Sequence, residues 1–273
     1  MKQDLKEKLL EDIKKTGYPL ELKIANIFDK CGWRTQSNSY YIDKDENKGR
    51  EIDLIASKWE QIDDNENYLE MTFYFITEIK TAWKKPWVLF SVPEDKNGFN
   101  LHSVNLELNK GVQHSKIIKK YFREKVLNVQ SRLGKSFYEG FSGNGSRDDI
   151  FKALSGSVKA LEHYKESSLA SKDQSTDIII DYYIPLIIID GPLFEAYLDD
   201  KGEIQLEEVE YIQAAFNYLS PNYNIGSKYG SSIVQIIRFE YLERFLEKYG
   251  EEMKNWAKKI GEFEDIDPLS RDC

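Results

Sequence analysis

The sequence predicts an α/β protein with a mixed β-sheet core flanked by helices, followed by C-terminal elaborations. Three observations predict it. Residues 68–80 alternate in side-chain character, residues 177–190 hold a continuous aliphatic run, and residues 148–165 repeat apolar side chains at helical spacing. A length of 273 residues slightly exceeds one ordinary core, and 41% hydrophobic with 13% aromatic residues is ample to fill it. We therefore expect a single domain over 1–273, with a core over about 18–190 and a strand-helix extension over about 191–265.

The elements follow in order. Pro19 opens a helix at its first turn, and Leu20, Ile24, Ile27, Phe28 and Cys31 form its apolar stripe. Glu21, with Ala25 and Phe28, flanks that stripe and can lean over a sheet. Next comes Arg50-Glu51-Ile52-Asp53-Leu54-Ile55-Ala56, a strand in which Ile52, Leu54 and Ala56 share one face and Asp53 takes the other. Ser57 to Asn67 is rich in Asp, Asn and Glu and reads as a hairpin loop. In the following strand Leu69, Met71, Phe73, Phe75, Thr77 and Ile79 fall on one face, and Tyr68, Glu70, Thr72, Tyr74, Ile76, Glu78 and Lys80 on the other. Antiparallel pairing would bring Asp53 beside Glu78. Facing carboxylates are destabilising unless positive charge lies between them, and a hard, oxygen-seeking Mg²⁺ suits that place.

Farther on, 148–165 reads as a helix burying Ile150, Leu154, Val158, Leu161 and Tyr164, with a plain surface helix as the favoured account of the charges at Lys159 and His163 and an approach of Lys159 to the site as the alternative. The aliphatic run at 177–190 suits a buried central strand, broken by Gly191-Pro192. Ser232 to Ile237 reads as a last strand and Phe239 to Ile260 as a closing helix. Residues 140–146 form a glycine-rich loop that lacks the Gly-Lys-Ser/Thr of a phosphate-binding P-loop, and the tail from Asp265 is expected to fray.

Asp53, followed by Glu78-Ile79-Lys80 at the end of a hydrophobic strand, resembles the PD-(D/E)xK nuclease superfamily of restriction endonucleases and Holliday-junction resolvases. Glu21 extends the resemblance, since many members carry an acid on the preceding helix. The chain departs from the pattern in having Ile52 where the name gives proline. The resemblance implies a restriction endonuclease-like fold and metal-dependent phosphodiester hydrolysis, by an endonuclease rather than an exonuclease, with DNA favoured over RNA. Asp53, Glu78 and the Ile79 carbonyl would hold Mg²⁺ or Mn²⁺, and Glu21 would serve a second ion or the ion's water. Lys80 would orient the attacking water as a cation, because two neighbouring carboxylates oppose its deprotonation. Members often serve restriction, phage defence or repair.

Charge and composition bound the partners. The net charge of −9 argues against a protein that coats nucleic acid, yet residues 110–135 carry eight basic residues against Glu124 alone. Within that stripe Lys116, Lys119, Lys120 and Arg123 are candidate phosphate contacts. Lys84 and Lys85 are further candidates, between Trp83 and Trp87, which would stack on bases. Two cysteines and three histidines argue against a disulfide scaffold and a zinc site. With no apolar run near 18 residues, a cytoplasmic protein with no membrane partner is expected. Its assembly would be a homodimer or part of a larger defence complex. The alternative function is a catalytically silent subunit that binds nucleic acid or protein, to which the acidic C-terminal half and its many aromatics point.

Overall fold

Alternation in one strand and a continuous apolar run in its neighbour set the architecture. The computed structural model describes residues 2–63, 68–93, 105–108, 115–122, 130–142, 149–171, 178–225 and 231–261. Its elements are α1 (Lys2–Ile13), α2 (Tyr18–Lys30), β1 (Arg34–Asp43), β2 (Lys48–Asp63), β3 (Tyr68–Thr81), β4 (Trp87–Pro93), β5 (Leu106–Leu108), α3 (Ser115–Tyr121) and β6 (Arg132–Glu139). They continue with α4 (Asp149–Ser171), β7 (Ile178–Asp190), β8 (Leu193–Leu198), β9 (Ile204–Glu208), β10 (Tyr211–Phe216), β11 (Tyr218–Leu219), β12 (Asn224–Ile225), β13 (Ser232–Arg238) and α5 (Leu242–Gly261). A large mixed sheet runs in the order β1-β2-β3-β7-β13-β10-β6-β4-β8-β9, with β5 on the N-terminal half of β7, and β11 pairs β12 separately. The protein is thus mixed α/β, with helices on both faces of the sheet.

β7 is the middle of the core because both of its faces are apolar. Ile184, Leu186 and Ile188 face the layer formed by α2 and α5, where Ile24, Phe28, Phe245 and Trp256 are buried. Ile187 and Ile189 face Ile150, Leu154 and Val158 of α4. β3 lies parallel to β7 from Leu69↔Ile178 to Thr81↔Asp190, and β13 takes the other side of β7 at Gln235↔Leu186 through Arg238↔Ile189. The region after Gly191 therefore continues the central sheet. Among the described residues, no helix is long and apolar enough to cross a membrane.

Two expectations are corrected here. Residues 57–63 are strand rather than loop: β2 pairs β3 without interruption from Leu54↔Thr77 to Asp63↔Tyr68. Backbone pairing along the whole of β3 outweighs the turn-forming composition of this stretch, and Arg34 covers the Trp59 ring at 5.6 Å. Second, Ile52 does not share a face with Leu54 and Ala56. It packs with Tyr41, Ile55, Ile76 and Ala160, whereas Leu54 and Ala56 join the α2 side. The period breaks at Asp53, where β2 leaves β3.

Far from that break, Arg132 grips Glu195 through two hydrogen bonds of 3.0 and 2.7 Å and lies over the Tyr197 ring at 3.8 Å. Burial raises the Glu195 carboxyl, but the guanidinium outweighs it and holds the carboxyl below its ordinary value of 4.5. The resulting stability is complete above that value and is lost as pH falls through the lowered folded-state value. Arg132→Ala is expected to cost about 2 kcal/mol at pH 7, discounted because the Arg132 side chain is one-third exposed. Urea unfolding at pH 7 and pH 3 checks this: the variant's deficit shrinks at the lower pH.

Candidate active site

The site forms where two strands part. The last β2–β3 rung is Leu54↔Thr77. On the β1 side the ladder skips from Ser37↔Leu54 to Ser39↔Ile52, and Asn38 adopts a left-handed φ of 53°. Asp53 occupies this gap. Its carboxylate accepts the Ile79 backbone N–H at 2.6 Å, supplying the acceptor that the diverging strand no longer provides.

Lys80 points back at the same place. Its ammonium donates to Asp53 Oδ2 at 3.4 Å and to Glu78 Oε2, so one cation lies between the two carboxylates. Burial pushes the Glu78 carboxyl up to about 7; Lys80 pulls it down and Asp53 raises it further. For Lys80, burial opposes the charge, but Glu78 and Asp53 outweigh it and hold the ammonium above its ordinary range. That favours an orienting cation over a base.

Glu21 reaches the same field from α2. Burial raises its carboxyl first, then repulsion from Asp53 and Glu51, and Lys80 lowers it. Pro19 in the first turn and Ile24 and Phe28 in the core fix this helix, which holds Glu21 within the field of Asp53, Glu51 and Lys80. Asp53, Glu78 and Lys80 are therefore gathered at one end of β3, with Glu21 in their electrostatic field.

The fourth wall is α4, and sequence reasoning missed its key residue. A Cβ on Gly156 would lie 2.6 Å from Glu78 Oε1, so any larger residue here requires the Glu78 carboxylate to shift. An isolated glycine inside a helical pattern was the available signal. One turn on, Lys159 is buried, contrary to the surface-helix expectation. It pairs with Asp43 at 3.1 Å and Asp45 at 2.9 Å and lies over the Tyr218 ring at 4.5 Å. Tyr218 and Ser220 also donate to Asp45, at 2.7 and 2.6 Å, which ties the β1–β2 turn to β11 and its following turn. Asp43, Lys159 and Tyr218, with Glu78, Lys80 and Gly156, line a cleft of about 480 Å³.

The remaining candidates divide. Lys84 is exposed, and Lys85 is paired with Glu139 at 3.1 Å; both line a second cleft of about 340 Å³ that meets the first at Lys80 and Asp149. Trp83 is 57% exposed, whereas Trp87 is 1% exposed and belongs to the core, which removes it from the stacking candidates. Lys119 and Lys120 are exposed on α3, but this helix does not bring them beside Lys80. The adjoining Phe122 packs on Tyr182 at 5.1 Å, seven residues along β7 from Ile189, or about 23 Å away. Lys116 lies on α3 with its side chain outside the described residues, and Arg123, with Lys110 and Lys125 of the basic stripe, lies outside them altogether.

The carboxylates that converge are those of Asp53 and Glu78, bridged by Lys80, with Glu21 in the same field. Such donors suit a hard divalent cation. No group of three or more Asp, Glu, His or Cys among the described residues is arranged to hold a metal ion. No family model, no curated protein and no solved structure matches the chain.

Proposed function

We propose that the protein is a metal-dependent nuclease of the PD-(D/E)xK type, with a restriction endonuclease-like core formed by α2, β1–β3, α4 and β7. The observation that carries the reading is the convergence of Asp53, Glu78 and Lys80 at the strand gap, with Glu21 in the same electrostatic field. Mg²⁺ or Mn²⁺, held by Asp53, Glu78 and the Ile79 carbonyl, would lower the pKa of a water and neutralise charge on a phosphodiester. The chain's own groups do the rest. Lys80 orients the nucleophile and stabilises negative charge developing on the phosphate. Glu78, buried beside Gly156 and paired with Lys80, and Asp53, anchored by the Ile79 N–H, keep the donors fixed. DNA is the favoured substrate.

The second reading is a silent binding subunit that retains the triad as a structural ion cluster. The observation favouring it is that Lys80 already neutralises both carboxylates. The two readings separate when the purified protein is incubated with supercoiled plasmid, single-stranded DNA and RNA in Mg²⁺, Mn²⁺ and EDTA. The nuclease reading expects cleavage with either metal and none in EDTA. A silent subunit cuts nothing in any condition.

A further inference from the structure

We propose that the substrate engages this site with an unpaired nucleobase, stacked on the indole of Trp83. The inference rests on the nuclease reading and specifies its substrate as single-stranded or locally opened nucleic acid.

The indole is held rigidly. Trp83 Nε1 donates to Asp190 Oδ1 at 3.0 Å, which satisfies the only polar atom of the ring. The backbone beneath is equally fixed. Ala82 N–H donates to the Asp190 carbonyl at 2.9 Å, Lys85 N–H to the Ala82 carbonyl at 3.1 Å, and Trp87 N–H to the Pro192 carbonyl at 3.1 Å. Gly191, at φ 152°, presses on this segment so closely that a Cβ there would stand 2.7 Å from the Ala82 carbonyl carbon and 2.9 Å from the Trp83 nitrogen. An apolar ring held with its hydrogen bond already made, yet 57% exposed, is preorganised to bind something flat.

Position identifies that something. Trp83 lines the same cleft as Lys80, three residues away in sequence, and the exposed ammonium of Lys84 borders both. A ring to receive a base, beside the exposed Lys84 to receive a phosphate and in one cleft with Lys80 of the site, is the composition of a single-strand platform. Inside a duplex each base face is covered by its stacked neighbours. A rigid indole therefore meets a base only where pairing or stacking is already open, or where opening is driven by the contact.

The test measures binding in EDTA, so that cleavage does not intervene. Fluorescence anisotropy of a labelled 15-nucleotide single strand and of its blunt duplex is followed with wild-type protein, Trp83→Ala, Trp83→Phe and Trp59→Ala. Trp59 is also half-exposed, on β2 beside Arg34, and serves as the control. The expected result is a Kd for the single strand about tenfold weaker in Trp83→Ala, restored towards wild type in Trp83→Phe and unchanged in Trp59→Ala, with duplex binding unaffected. Equal binding of the single strand by wild type and Trp83→Ala overturns the inference, as does an equal loss on duplex. If that happens while wild-type protein still cuts nucleic acid in Mg²⁺, the nuclease reading stands and the platform falls. If wild type neither binds nor cuts any nucleic acid, both fall together.

Discussion

Replacing Lys80 with alanine is expected to lower the rate of phosphodiester cleavage by about a hundred- to a thousandfold, the range typical of removing one preorganised group that stabilises developing negative charge. The same change leaves Glu78 and Asp53 facing each other without the ammonium between them. Glu78 is buried, so part of the penalty for an unpaired internal carboxylate falls on folding. Because the Lys80 side chain is 29% exposed, the expected cost is about 2 kcal/mol rather than the full value for a sealed pair. Lys80→Arg separates the two effects. It keeps a cation near both carboxylates but presents a planar fork in place of a compact ammonium, so stability is retained while the rate stays low. Urea denaturation and single-turnover cleavage on the same preparations check both halves.

Gly156→Ala is expected to produce the opposite balance. The added methyl would lie 2.6 Å from Glu78 Oε1, which forces the carboxylate to move. A displacement of about 1 Å in a positioned group costs roughly a hundredfold in rate. Stability changes by less than about 1 kcal/mol, because the helix gains from losing an interior glycine what the strained contact removes. A loss of cleavage with an unchanged unfolding midpoint would mark Gly156 as a positioning residue. Equal activity in wild type and variant would show that Glu78 is not held by this helix.

The elements legible in the sequence were those whose signal is local. Period-two alternation identified β3, the aliphatic run identified β7, and helical spacing identified α4 and α5. Strand β3 placed Glu78 and Lys80 on one side, and antiparallel pairing brought Asp53 to them. What escaped depends on contacts distant in sequence. The outer half of the sheet, β6-β4-β8-β9, is a set of pairings between strands whose partners no local pattern specifies. The extension of β2 through Asp63 was hidden because polar residues that usually mark turns are held there by β3. Ile52 was misplaced because the alternation that served for β3 fails at the strand gap, which is also what frees Asp53 to bond Ile79. Trp83 and Trp87 look alike in sequence, and only the turn tied to Asp190 and Pro192 turns one outward and buries the other. Lys159 read as a surface charge because its partners, Asp43 and Asp45, come from a turn more than a hundred residues earlier.

In the proposed nuclease, Asp53, Glu78 and Lys80 act together on a phosphodiester with a divalent cation. The most direct measurement is a cleavage time course of wild type and Asp53→Asn in parallel, in Mg²⁺, in EDTA, and in EDTA followed by excess Mn²⁺. The expected result is that wild type cuts with either metal and stops in EDTA, that added Mn²⁺ restores it, and that Asp53→Asn stays silent throughout while remaining folded by circular dichroism. Cleavage that survives EDTA, or an Asp53→Asn variant that cuts as fast as wild type, would contradict it.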